Sequence, residues 1–246
     1  MTIIAHKDVT HAFAAALSPG DDVLIHAALG RLGHFEAGID ATIAALCDTI
    51  GPSGTIIMMT DTRSFAQTGR FSLQHPSETG VLTERFRVTP GVVRSCVPMV
   101  SFCAWGKRAA FYTAPYHSHL DETATLTRVL ANDGKIMLLG IGYEKCTLYH
   151  LAEERHQTPY NYYKTFDGVL VENGKPDRPI SQRYFVRKDM DVRKNPAIAG
   201  HMLEKNAQVT SLPLGNGAVR VFRARDFDAC CMRALDANPN AFLAAQ

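Results

Sequence analysis

Several things are missing from this sequence, and each absence removes a class of function. No window approaches the ~18 consecutive apolar residues of a membrane-spanning helix, so no helical membrane span is expected. The first residues, Met1 to Asp8, lack the apolar core of a secretory signal, and a cytoplasmic protein is expected. Neither sign of charge is in excess: 26 Lys and Arg face 24 Asp and Glu, a net charge of +2. With no dense Lys/Arg stripe, nucleic acid is not an expected partner. The six cysteines, Cys47, Cys96, Cys103, Cys146, Cys230 and Cys231, include no C-x-x-C pair. The adjacent Cys230 and Cys231 would be strained to bridge each other, and scattered thiols in a chain this long read as reduced. Gly140-Ile141-Gly142 has Lys145 where a dinucleotide fingerprint needs a third glycine. His26-Ala27-Ala28-Leu29-Gly30 lacks the lysine of a phosphate-binding P-loop. Trp105 is the sole tryptophan and reads as a packed core or rim aromatic.

What is present suits one large α/β domain or two small ones. The chain has 246 residues, of which 46% are hydrophobic and 20% charged, enough to bury a core without covalent staples. Helical spacing runs over 8–17 and stops at Ser18-Pro19-Gly20. Val23-Leu24-Ile25-His26 reads as a buried strand entering a glycine turn at 30–33. Residues 38–50 read as a helix and 55–60 as a second buried strand. Strand, helix, strand within about 40 residues predicts a βαβ unit with parallel strands. A long polar loop is expected over 63–79, a helix over 82–88, an extended stretch over 94–102, and a helix over 123–131 capped by Asp121 or Thr123. The third strong strand is Lys135 to Leu139, followed by a short helical piece over 149–155. Beyond Pro159, Asp167-Gly168 and Asn173-Gly174 read as hairpin turns. A late strand (219–222) and a closing helix (226–235) end the chain.

Three groups of residues could carry chemistry. His150, Glu153 and Glu154 share a helix face by their spacing of three and four. A carboxylate beside an imidazole orients the ring and raises its basicity, although a charged surface helix would look the same. His117, His119 and Asp121 could begin a zinc-hydrolase ligand set, but Glu122 stands where a further histidine would be needed; a polar loop is the competing reading. Cys146 lies near His150, as a Cys–His nucleophile pair would.

The order of several segments carries more weight than any of these groups. Asp22 to Gly33, Gly54 to Thr60, Gly80 to Arg87 followed by Pro90 to Ser95, Pro98 to Gly106, Gly134 to Gly142 and Thr147 to Glu153 together resemble the aminoglycoside 3-N-acetyltransferase family. The likeness covers about residues 5–170, with a weaker echo near 217–226. Departures are Ala27 and Ala28 for two serines, Val97-Pro98 for His-Pro, and Ala124-Thr125 for Ser-Pro. The resemblance implies an α/β fold particular to these acetyltransferases, with a mixed central sheet, flanking helices and a hairpin-rich C-terminal portion. It implies a single domain over 1–246, with an α/β core at 1–158 holding the coenzyme and 159–246 completing the sheet and the acceptor site. It further implies acetyl-CoA as co-substrate, no metal, and a primary amine as acceptor, the 3-amino group of an aminoglycoside first. No membrane or nucleic-acid partner is implied; the protein would be a monomer or homodimer. His150 would be the general base held by Glu153, with Thr147 donating to the developing oxyanion. His26, Ala27, Ala28, Leu29, Gly30, Arg31, Arg94, Ser101 and Phe102 would line the coenzyme, and Asp61, Glu154 and Tyr160 the acceptor. The near-neutral net charge leaves room for a biosynthetic amine that is not an aminoglycoside. Readings from another class are a CoA-binding protein without catalysis and a metal hydrolase using His117 and His119.

Overall fold

The structure is a computed structural model that describes residues 2–172 and 174–244. Its elements run β1 (Ile3–Ile4), α1 (His6–Ala16), β2 (Asp22–Ala27), α2 (Leu29–Leu32), β3 (His34–Phe35), α3 (Gly38–Ile50), β4 (Thr55–Met59), α4 (Phe65–Thr68), β5 (Arg70–Phe71) and α5 (Val81–Arg87). They continue with β6 (Val93–Arg94), β7 (Phe102–Gly106), α6 (Ala109–Tyr112), α7 (Thr125–Ala131), β8 (Lys135–Leu139), α8 (Tyr149–His156), β9 (Asn161–Leu170), β10 (Arg178–Arg187), α9 (Ala197–Lys205), β11 (Thr210–Leu214), β12 (Gly217–Arg223) and α10 (Ala224–Ala237).

The central sheet has seven strands in the order β11-β12-β8-β2-β4-β7-β6. Its middle is parallel: β2 pairs with β8 and with β4. Its flanks are antiparallel, through β12 against β8 and β7 against β4. The continuous apolar runs of β2, β4 and β8 suit central strands covered on both faces. The period of two then sends alternate residues to separate cores. Leu24, Ile57, Phe102, Ile136, Leu138 and Phe222 meet α7 to α10 on one face. Val23, Ile25, Ile56, Met58, Met137 and Val221 meet α1, α3 and α5 on the other. Helix α1 turns Val9, Ala12, Phe13 and Ala16 inward, the i, i+3, i+4, i+7 stripe of an amphipathic helix.

Long antiparallel strands β9 and β10 form one hairpin, and β5 joins it to make a second sheet. This hairpin closes over the ends of several loops. Arg183 N–H donates to His117 O at 2.9 Å, Tyr184 OH to Pro98 O at 2.6 Å, and Val169 N–H to Gly69 O at 2.8 Å.

Some local expectations are corrected. Asp167-Gly168 is not a turn but lies inside β9. The glycine serves a close approach: a Cβ on Gly168 would stand 2.2 Å from Gly69 O. The other expected turn includes Asn173, which lies outside the described residues. Residues 94–102 are not one extended stretch. They bend between β6 and β7, with Met99 at φ 62°. Helix α7 starts at Thr125 with no side-chain cap. The proposed cap Asp121 instead accepts the His117 and Ser118 N–H groups at 2.7 and 2.9 Å. The turn expected at 30–33 is the one-turn helix α2 followed by Gly33.

Candidate active site

Ligands of open α/β sheets bind beyond the carboxyl ends of their parallel strands, and the predicted site residues gather there. Strand β2 ends at His26-Ala27 and leads into α2; β8 ends at Leu139 and leads through a turn into α8. The two exits are held together at Gly140, where φ is +69° and a Cβ would lie 2.6 Å from Leu32 Cγ and 3.0 Å from Ala28 O. Ala28 N–H also donates to Leu139 O at 2.9 Å. A 3₁₀ turn at Tyr143–Lys145 then redirects the chain into α8. That helix buries Leu151 and Ala152 in the core, which turns His150 outward. It stops at Gln157, a left-handed residue.

The centre of the site is His150. Its Nδ1 lies 2.9 Å from Glu153 Oε2 one turn along, and its side chain is 38% exposed while that of Glu153 is 1% exposed. A buried carboxylate accepting from Nδ1 fixes the tautomer with a bare Nε2, so the free lone pair belongs to the accessible imidazole. Glu153 is satisfied on both oxygens. Lys194 Nζ donates to Oε2 at 2.7 Å, and Tyr160 OH to Oε1 at 2.9 Å. Burial opposes the charge of Glu153, but the hydrogen bond from His150, with the Lys194 ammonium, outweighs it and holds the carboxyl below its ordinary range. Burial pulls Lys194 down, against the support of Glu153.

Beside this pair, Thr147 Oγ1 stands 3.4 Å from His26 Nε2 at the end of β2. Burial lowers His26 to about 4, so it stays a neutral imidazole. Thr147, His150 and Glu153 therefore converge with His26. Residues 27–31 run along the same strand end, and Gly30 and Arg31 are exposed, so this strip is accessible to a ligand.

The other predicted contacts divide. Ser101 and Phe102 are fully buried and offer no surface to a coenzyme. Ser101 Oγ donates to Thr60 O and accepts from Arg94 Nε and Nη2 at 3.1 and 3.0 Å. The remaining Arg94 donors go to the carbonyls of Thr60, Leu73 and His75. Arg94 thus ties loops together; it neither faces a phosphate nor pairs with Glu84, which Arg87 holds at 2.6 Å. Glu154 points away from His150 and accepts from Ser118 Oγ at 3.0 Å. Asp61 is buried, with Oδ2 held by Arg63 Nε at 3.0 Å and Oδ1 without a partner among the described residues; burial pushes its carboxyl up to about 6. Tyr160 gives its hydroxyl to Glu153. Cys146 is fully buried, and burial pushes its thiol up to about 12, which corrects the reading of a Cys–His nucleophile pair.

The histidine pair does not form a metal centre. His117 Nδ1 meets Ser181 O at 3.0 Å, while His119 is buried against Tyr116 and Tyr184. No group of three or more potential ligand side chains gathers among the described residues. Sequence reasoning missed Lys194. It lies 41 residues beyond Glu153, in a stretch with no local pattern that points to a site.

The profile of the aminoglycoside 3-N-acetyltransferase family matches residues 24–236. The chain belongs to this family. Among curated aminoglycoside 3-N-acetyltransferases, form VII of Streptomyces paromomycinus is 29% identical over 192 residues, 69% of this chain and 65% of that protein. Form IV from Salmonella sp. is 27% identical over 236 residues, 92% of this chain and 85% of that one. The match to the first relative thus spans just under two thirds of its length, whereas the match to the second is nearly end to end. Among solved structures, apo AAC(3)-IVa superposes with a TM-score of 0.81 at 24% identity, covering 98% of this chain and 92% of that chain. AAC-IIIb in its binary complex with CoASH superposes with a TM-score of 0.82 at 24% identity, covering 99% of each. The mixed α/β architecture is therefore that of the aminoglycoside acetyltransferases, with the hairpin sheet included.

Proposed function

We propose that this chain transfers the acetyl group of acetyl-CoA directly to a primary amine, with the 3-amino group of an aminoglycoside as the first acceptor to test. The observation that carries this reading is the His150–Glu153 pair at the carboxyl end of β8, with Nε2 accessible and Thr147 beside it. An ammonium must lose a proton before it attacks. His150 Nε2 takes that proton, and the amine nitrogen adds to the thioester carbonyl. Negative charge builds on the carbonyl oxygen, where the Thr147 hydroxyl donates. The C–S bond then breaks, the departing CoA thiolate takes the proton back from His150, and the nitrogen gives its second proton to the freed imidazole and so to solvent, leaving the neutral acetamide. The coenzyme would run along residues 26–31, and Asp61, with a buried oxygen that has no partner among the described residues, would lie on the acceptor side. The family relationship supports the donor and the reaction class. A monomer or homodimer in the cytoplasm suits this reading.

A biosynthetic amine less cationic than an aminoglycoside is the second reading. Polycations need converging free carboxylates, yet Asp61 is held by Arg63, Asp121 by backbone amides, Glu153 by Lys194 and Glu154 by Ser118. A thiol-release assay with acetyl-CoA across a panel of amines, aminoglycosides included, separates the two. His150→Ala should lose about 10²- to 10⁴-fold in kcat with the best amine. Full activity in that variant would remove His150 as the base, and a stable acetyl adduct on the enzyme would remove direct transfer.

A further inference from the structure

Glu153 carries an arrangement that orientation of His150 alone does not require. The oxygen that meets His150 Nδ1, Oε2, is also the one that Lys194 Nζ holds at 2.7 Å, with the lysine side chain only 6% exposed. The ammonium lies above the rings of Tyr149 and Tyr160, at 5.9 and 5.3 Å from their centroids. Its placement is set by the end of the chain. Lys194 bridges to Leu243 in antiparallel fashion, Asn195 N–H donates to Phe242 O at 2.7 Å, and Ala244 N–H to Arg193 O at 2.9 Å. The Phe242 ring then meets Tyr149 edge-on at 5.7 Å.

Charge logic gives the lysine a purpose. A lone buried carboxylate would orient the imidazole but also stabilise its charged form, and an imidazolium has no lone pair with which to accept a proton. A cation on the same oxygen offsets that attraction without disturbing the hydrogen bond. We propose that Lys194 is a positioning residue for acetyl transfer: it holds Glu153 Oε2 and cancels enough of its charge that His150 is oriented yet remains a free base. This role rests on His150 being the base. The other groups facing the pair are Tyr149 on α8, Tyr160 ahead of β9, Arg187 at the end of β10, His119 ahead of α7 and Cys231 on α10. Among these, Arg187 is the other permanent cation, and its charge acts on Lys194 and Tyr149.

The test is a titration of the His150 ring by NMR, assigned with His150→Gln, in the unaltered protein and in Lys194→Met, Lys194→Gln and Lys194→Arg. It needs no substrate. Removing the cation should raise the His150 midpoint by about one pH unit, a tenfold gain in proton affinity. The acid limb of kcat/KM should move up by the same amount, with activity largely recovered on the alkaline side, and Lys194→Arg should restore both. Lys194→Gln keeps a donor for Oε2, so the comparison survives if the methionine variant does not fold. An unmoved midpoint in a folded neutral variant overturns the role of Lys194. If His150→Ala is inactive in that case, His150 still stands as the base; if His150→Ala is fully active, the base itself falls.

Discussion

At the scale of single residues, the strongest pH-dependent effects come from histidines that do no chemistry at the accessible surface. Burial lowers His26 to about 4 and His119 to about 3. A histidine whose folded value is depressed binds its proton more readily in the unfolded chain. Its contribution is therefore complete above about pH 6.5 and lost as pH falls toward the folded value. Between pH 7 and 4.5, each would remove about 2–3 kcal/mol of stability. Asp61 acts in the opposite sense, because burial raises it to about 6 and acidification then favours the folded state. A comparison of variants isolates the histidine. His119 has an Nδ1 with no partner among the described residues and aromatic rings on either side. His119→Gln should lose about 2 kcal/mol less than the unaltered protein over this range, as read from urea midpoints at pH 7 and 4.5. Equal losses would show that His119 does not set the acid limit.

At the scale of elements, the site depends on two strand exits being held in register, and Gly140 holds them. Its φ of +69° disfavours any side chain, and a Cβ would press on Leu32 and on Ala28 O. Gly140→Ala should cost on the order of 1–3 kcal/mol and move α2 away from α8. The measurements are a lowered Tm and a raised KM for acetyl-CoA. A normal KM with a lowered Tm would limit Gly140 to stability. The strands and helices around this junction were legible because burial leaves a pattern in the sequence: β2, β4 and β8 are continuous apolar runs, and α3 spans the residues 38–50 that read as a helix. His150 and Glu153 were legible because one turn of helix joins them. Other features had no local signal. Strand β7 continues past the bend at Met99, and Gly168 reads as a turn residue although the approach of Gly69 is what requires it. Arg94 read as a coenzyme contact because nothing in sequence shows how many carbonyls surround a guanidinium. Lys194 is joined to Glu153 only by the tertiary fold.

At the scale of the molecule, the C-terminal third is part of the structure that carries the turn leading to His150. Strand β8, from which that turn leaves, is paired with β2 on one side and with β12 on the other. Helix α10 buries Phe227, Cys230, Cys231, Ala234 and Leu235 over the same core, and the 193–195 segment brings Lys194 to Glu153. A chain ending at residue 158 would leave β8 as an apolar edge, which templates aggregation, and would strip α9 and α10 from one face of the central sheet. The division into an α/β core and a completing portion is thus one of sequence order, and we expect both parts to unfold together. Calorimetry of the full chain should give a single transition with matching calorimetric and van't Hoff enthalpies, on the order of 170 kcal/mol near 60 °C for a unit of this length. The 1–158 fragment should give no cooperative urea transition. A fragment that unfolds cooperatively, or two resolved heat-absorption peaks in the full chain, would mean that β12 and α10 dock onto a core already stable without them. The His150 site would then be assembled before Lys194 arrives.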